Sequence, residues 1–350
     1  MSETAERAPV SGPPADPAAE PERPGRRSSR LGRIGIMFVQ QREATVLVVA
    51  IALVIYFSSV SSSFFTRDDL VNLSQIIAPL AIIACGEVFL LICGELDLSV
   101  GFVYGFAPFL MHYLIDFYGV PAIPAMILCL VFGLAFGYMN AFITIALGVP
   151  SFIATLGTGL VLLGFTLTTS NAYPALIPDS AAGPGHWIGT YAWAMITWAI
   201  VLVIFFQILL SRTKWGLHTV AVGGNILGAS EAGINVKRIK YGNFMITGTL
   251  GAFVGLQVAF QTNSIDPSSG GYQPMFYAIA AAVIGGTVLS GGSGTIVGAF
   301  LGAVVLGILQ GGFTLIGISA NPLSIIFGGA ILVAMIANVQ FTRLRNAGRT

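Results

Sequence analysis

Three carboxylates sit where the surrounding chain is apolar. They are Glu87, in Ala84-Cys85-Gly86-Glu87-Val88-Phe89, and Glu95 and Asp97, between Gly94 and Gly101. A charge inside hydrocarbon costs several kcal/mol, about 2.5–3.5 on insertion scales, so it needs a reason to be there. Glu87 is expected to face a bundle interior or a polar cavity. Asp97 either caps the helix that starts near Ser99, at the positive end of its dipole, or contacts a polar solute. Asn140, in Gly137-Tyr138-Met139-Asn140, adds a polar amide to another apolar stretch. Glu87, Asp97, Ser99 and Asn140 are therefore the candidates for lining a solute pathway. The pair 95/97 has no companion ligands nearby, so no metal site is expected.

Other chemistry is poorly supported. His112, His186 and His218 are scattered, and Cys85, Cys93 and Cys129 lie in apolar stretches without paired spacing. Catalytic residues and a disulfide framework are therefore not expected. The glycine-rich run Ile284–Thr295 lacks the lysine of a phosphate loop, and no lysine follows it. The run reads as close helix packing through small residues.

The elements that must position these residues follow from composition. Among 350 residues there are 16 Lys plus Arg and 15 Asp plus Glu, together 9%, while 55% are hydrophobic. From 241 to 340 the one formal charge is Asp266. A water-facing surface cannot be built this way. The 43 glycines show no three-residue period, which excludes collagen, and continuous apolar runs argue against an outer-membrane barrel. An all-α polytopic membrane protein remains, because only helices and closed barrels satisfy their backbone groups in lipid.

A span needs about 20 apolar residues. Ten are expected, near 44–64, 71–92, 99–118, 122–146, 152–170, 190–210, 241–262, 275–290, 295–316 and 321–340. The stretch 275–290 is short and reads as a broken or re-entrant segment. The domain reading is a disordered cytoplasmic tail over 1–43, a transmembrane domain over 44–340 and a cytoplasmic tail over 341–350. The proline- and arginine-rich start is not read as a signal peptide. Ten spans place three basic clusters on one side: Arg26 to Arg42, the loop 211–240, and Arg343 to Arg349. The positive-inside rule then puts both termini in the cytoplasm.

An internal echo accompanies this pattern. Leu96-Asp97-Leu98-Ser99-Val100-Gly101 returns as Ile265-Asp266-Pro267-Ser268-Ser269-Gly270, and Gly137 to Asn140 returns as Gly307 to Gln310. Two five-span halves related as an inverted repeat are expected, with the pathway at their interface.

The loop 211–240 carries the second candidate site. Asn225–Ala232 is expected to form a short helix with Asn225 as N-cap and Gly233 as the stop. Its small-residue face, Gly228, Ala229 and Ala232, suits a partner's groove; an ordinary solvated loop is the alternative. Gly224, Asn225, Ala229, Glu231, Ala232 and Gly233 are the coupling candidates.

Four motifs, in order, resemble those of ribose-type ABC transporter permeases, the simple-sugar importers. Gly94-Glu95-Leu96-Asp97-Leu98-Ser99-Val100-Gly101 is the first and Pro150-Ser151-Phe152-Ile153-Ala154-Thr155-Leu156-Gly157 the second. The third is Gly223-Gly224-Asn225 through Ala232-Gly233-Ile234-Asn235-Val236, and the fourth Ala278 through Thr287 with Leu289-Ser290-Gly291-Gly292. The resemblance covers about 44–340. It implies a multi-pass subunit of the cell membrane that forms a homodimer within membrane lipid. It also implies a cytosolic ABC ATPase holding the ATP and Mg, and an extracytoplasmic binding protein delivering a sugar or similar polar solute. No cofactor on this chain and no nucleic-acid partner are expected. The competing expectation is an ion-gradient-driven secondary transporter with Glu87 as its coupling site.

Overall fold

The computed structural model describes residues 42–318 together with 324–329, 332, 333 and 336. Apolar residues all around each long segment leave helices as the way to pair every backbone group. Among the described residues, seven helices are long and apolar enough to cross a membrane. They are α1 (Arg42–Val60), α2 (Arg67–Ile92), α4 (Ala122–Ala141), α5 (Ser151–Ser170), α7 (Ala194–Arg212), α10 (Val236–Thr262) and α12 (Ile296–Leu315). Two shorter apolar helices join them, α3 (Val100–Asp116) and α11 (Tyr272–Ile284). Three short helices, α6 (Asp179–Gly185), α8 (Lys214–Gly224) and α9 (Ile226–Glu231), lie in connections. One antiparallel ladder pairs β1 (Ala175–Leu176) with β2 (Ser264–Ile265).

The chain is thus an all-α polytopic membrane protein. Of the expected tail over 1–43, only Arg42 and Glu43 are described, and they open helix α1; the tail over 341–350 and most of the expected tenth span over 321–340 lie outside the described residues. Two expected spans begin earlier than composition indicates. Helix α2 starts at Arg67 because the Thr66 side chain accepts from the Asp69 amide. Helix α10 starts at Val236 because the Asn235 side chain accepts from the Arg238 amide. Lys237, Arg238 and Lys240 therefore stand on the first turns of α10, and the connection from α7 shortens to 213–235. The stretch 275–290 is cut at Ile284, where Gly286, Gly291 and Gly292 carry positive φ.

Helices α2 and α10 are the most buried spans and form the centre of the bundle. Close packing needs small residues, since lipid gives helices little hydrophobic reason to associate. At the α4–α10 crossing a Cβ on Gly133 would lie 2.4 Å from the Gly248 carbonyl oxygen. No larger residue fits there without separating the helices.

The two short helices explain the interrupted segments. The Gly271 amide donates to the Gly101 carbonyl at 2.8 Å, so the N-termini of α3 and α11 meet inside the bundle. From there α3 runs toward the C-terminal end of α5, where the Tyr113 hydroxyl donates to the Thr169 carbonyl. Helix α11 runs the other way, toward the Gly292 amide that donates to the Ile92 carbonyl at 2.8 Å. Ser151, at the start of α5, lies beside Leu96, so these two destinations are separated by the length of α5, about 30 Å.

Candidate functional site: a buried polar junction and a surface elbow

The break between α2 and α3 begins at Gly94, whose φ of +74° lets the chain turn where a β-carbon would strain it. The turn is closed by Asp97. Its Oδ1 accepts from the Ser99 amide at 2.9 Å and from the Ser99 hydroxyl at 2.5 Å. The Asn140 amide, from α4, donates to the Ser99 Oγ at 2.7 Å and reaches Asp97 Oδ1 at 3.4 Å. Thr158, on α5, donates to the Asn140 Oδ1 at 2.7 Å. Asp97, Ser99 and Asn140 have no exposed surface.

The break's free amides are satisfied by α5. Leu98 N–H donates to Thr155 Oγ1 at 3.0 Å, and Leu96 N–H to Ser151 Oγ at 3.3 Å. Residues 151, 155 and 158 recur at helical spacing and face the same break. The motif 94–101 and the motif 150–157 are therefore two halves of one hydrogen-bonded unit. Thr158 also lines a cavity of about 690 Å³ walled by Phe106, Phe132, Phe136, Met139 and Phe165. The junction thus touches the cavity through one hydroxyl. Glu87 is fully buried within electrostatic reach of Asp97, yet neither of its carboxylate oxygens has a well-formed hydrogen bond; Asp97 Oδ2 shares that condition.

The second site is the elbow formed by α8 and α9. Asn225 caps α9, its Oδ1 accepting from the Gly228 amide at 3.0 Å, and Gly233 turns the chain out at φ +79°. Ala229 is buried with Cys93, Val222 and Ile239. Gly224, Asn225, Glu231, Ala232 and Gly233 are exposed, and so are Ile226 and Leu227, the latter to 76%. Behind the elbow, Gly223 packs on the Ile92 carbonyl and on Gly292, where a Cβ would lie 2.8 Å from the Gly292 nitrogen. The elbow is seated on both the end of α2 and the glycine-rich run after α11.

The family model described as "Branched-chain amino acid transport system / permease component" matches residues 70–336. The chain belongs to this family of ABC importer permeases. Among similar proteins, the xylose/arabinose import permease XylH of Sulfolobus acidocaldarius is 35% identical over 311 residues, covering 87% of each chain. The ribose import permease RbsC of Escherichia coli K12 is 32% identical, covering 86% of this chain and 94% of that protein. The RbsC of Bacillus subtilis is 34% identical, covering 81% and 88%. No solved structure matches. The ribose-type resemblance carried by the four motifs is borne out, and the permease is a multi-pass membrane protein.

The permease gathers all four pathway candidates at one place. Asp97, Ser99 and Asn140 share hydrogen bonds, and Glu87 lies beside them, near the Asp97 backbone amide. Asp97 closes the turn at the head of α3, as its capping reading expects, and its polar group is one residue removed from a cavity. Sequence reasoning missed Ser151, Thr155 and Thr158, although the helical spacing of hydroxyls within and just after the second motif was visible. At the elbow, five of the six coupling candidates are on the surface. Ala229 is the correction: α9 turns it inward to fill the space above Cys93. Of the small-residue face, Ala232 stays exposed and Gly228 half-buried, and the large apolar side chains that α9 shows to the outside are Ile226 and Leu227.

Proposed function

We propose that this permease carries a sugar or similar polar solute, handed over by an extracytoplasmic binding protein and driven by a separate cytosolic ATPase that holds ATP and Mg. The names of the relatives, xylose/arabinose and ribose import permeases, support the solute class. Two copies of the chain form the translocating unit. In this reading both termini are cytoplasmic and ten spans are arranged as two inverted halves. Support comes from charge placement: Arg42, Arg212, Lys214, Lys237, Arg238 and Lys240 lie at the elbow end of the bundle, and among the described residues the opposite end has Arg67 alone. The meeting of the α3 and α11 N-termini, each after an Asp-x-Ser turn, supports the inverted relation.

The observation that carries the proposal is the elbow. It shows two apolar side chains to water on a six-residue helix, while its back is fastened to the end of α2 and to the glycine-rich run after α11. A partner gripping that helix moves both interrupted segments together. ATP binding elsewhere then biases two arrangements of the bundle through differential contacts. The test is affinity co-purification of the ATPase with the Leu227→Glu variant and with the paired Glu231→Ala, Gly233→Val variant. Loss of ATPase binding and of uptake is expected in both. Unchanged binding and uptake in both would remove the elbow from the coupling surface.

A further inference from the structure

The elbow and the Asp97 junction are separate clusters, and a short chain of side chains joins them. On α8, Trp215 Nε1 donates to Asn243 Oδ1 at 3.0 Å. The amide nitrogen of Asn243, on α10, reaches the Phe89 carbonyl at 3.2 Å, Cys93 Sγ at 3.3 Å and Thr219 Oγ1 at 3.5 Å. One fully buried amide therefore fastens the elbow helix α8, the central helix α10 and the end of α2 to one another. One turn earlier on α10, Lys240 Nζ donates to Glu95 Oε1 at 2.5 Å, with both side chains 13% exposed. Among the described residues this is the one ion pair between positions far apart in sequence, and it ties α10 to the break. Glu95 stands two residues before Asp97, inside the break itself.

We propose that Asn243 and the Lys240–Glu95 pair are positioning residues that carry movement of the elbow to the Asp97 junction. The inference rests on the elbow being the ATPase dock. Its physical basis is stiffness at both links. Asn243 uses both ends of its amide, so α8 cannot shift without dragging α10 and the end of α2. The partly buried ion pair holds the break to α10, because separating it would leave a poorly solvated charge on each side. Neither link touches the exposed face of α9, so breaking one leaves the docking surface intact and disconnects it from the break.

The experiment uses the full permease with its ATPase and binding protein in proteoliposomes. ATPase co-purification, ATP hydrolysis and solute uptake are measured for Lys240→Met, Glu95→Gln, their double variant, Lys240→Arg and Asn243→Leu. Lys240→Met and Glu95→Gln are expected to keep the ATPase bound while solute moved per ATP falls by at least about fivefold, the lower end of ordinary coupling energies. The double variant is expected to fall no further than either single change, and Lys240→Arg to restore most of the ratio. Asn243→Leu is expected to lower the same ratio. Because Asn243 is fully buried, folding of its variant is followed by size-exclusion chromatography, and the ion-pair variants decide the outcome if it does not fold. An unchanged transport-to-ATP ratio in Lys240→Met and Glu95→Gln overturns the inference. So do single-variant losses that multiply in the double variant. A wild-type permease that binds no ATPase would overturn the proposed function as well, which separates the two failures.

Discussion

The breaks at 93–99 and 263–271 use the same local device in different surroundings. In the first, Asp97 Oδ1 accepts from the Ser99 amide and hydroxyl at 2.9 and 2.5 Å. In the second, Asp266 Oδ1 accepts from the Ser268 amide and hydroxyl at 2.8 and 2.6 Å. The turn chemistry is local, so an Asp-x-Ser sequence produces it in either place. What differs is everything around it. The Asp97 turn is fully buried and tied to Asn140, Thr155 and Thr158, whereas Ser268 is exposed and Asp266 is partly so. A shared turn therefore makes a shared backbone path, and only one of the two becomes a polar junction deep in the bundle.

Removing the two carboxylates would test this contrast most severely. Asp97→Ala leaves the Ser99 amide and hydroxyl without their acceptor in a region closed to water, and each buried group left unpaired costs about 1–3 kcal/mol. The expected result is a large loss of thermal stability in detergent and of uptake. The much smaller effect belongs to Asp266→Ala, where water can replace the carboxylate. There the loss is expected to stay under about 1 kcal/mol, with uptake near the wild-type rate. Equal losses in the two variants, read by thermal unfolding and uptake, would erase the distinction between a junction and a turn.

Much of this was legible in the sequence, for identifiable reasons. Charges in apolar segments are so costly that Glu87 and Asp97 marked the interior unaided, and Asn225 and Gly233 bracketed α9 through ordinary capping chemistry. The boundaries of α2 and α10 were less legible. Charged first turns such as Arg67-Asp68-Asp69 and Val236-Lys237-Arg238 read as loop on hydropathy, though their Thr66 and Asn235 caps extend the helices. The pairing of the two motifs at 94–101 and 150–157 was not legible either. It depends on which face α5 turns toward the break, and that is settled by tertiary packing. The same limit hid the inward turn of Ala229, since a six-residue helix has too little pattern to reveal its buried side.

The drive proposed for this permease is an ATPase acting through the elbow. It is tested most directly by uptake of ribose and xylose into proteoliposomes holding the permease and its ATPase, with the binding protein supplied. The expected uptake requires ATP and the ATPase and persists in the presence of an uncoupler. Uptake that continues without the ATPase and collapses with the uncoupler would contradict it and move the driving site to Glu87.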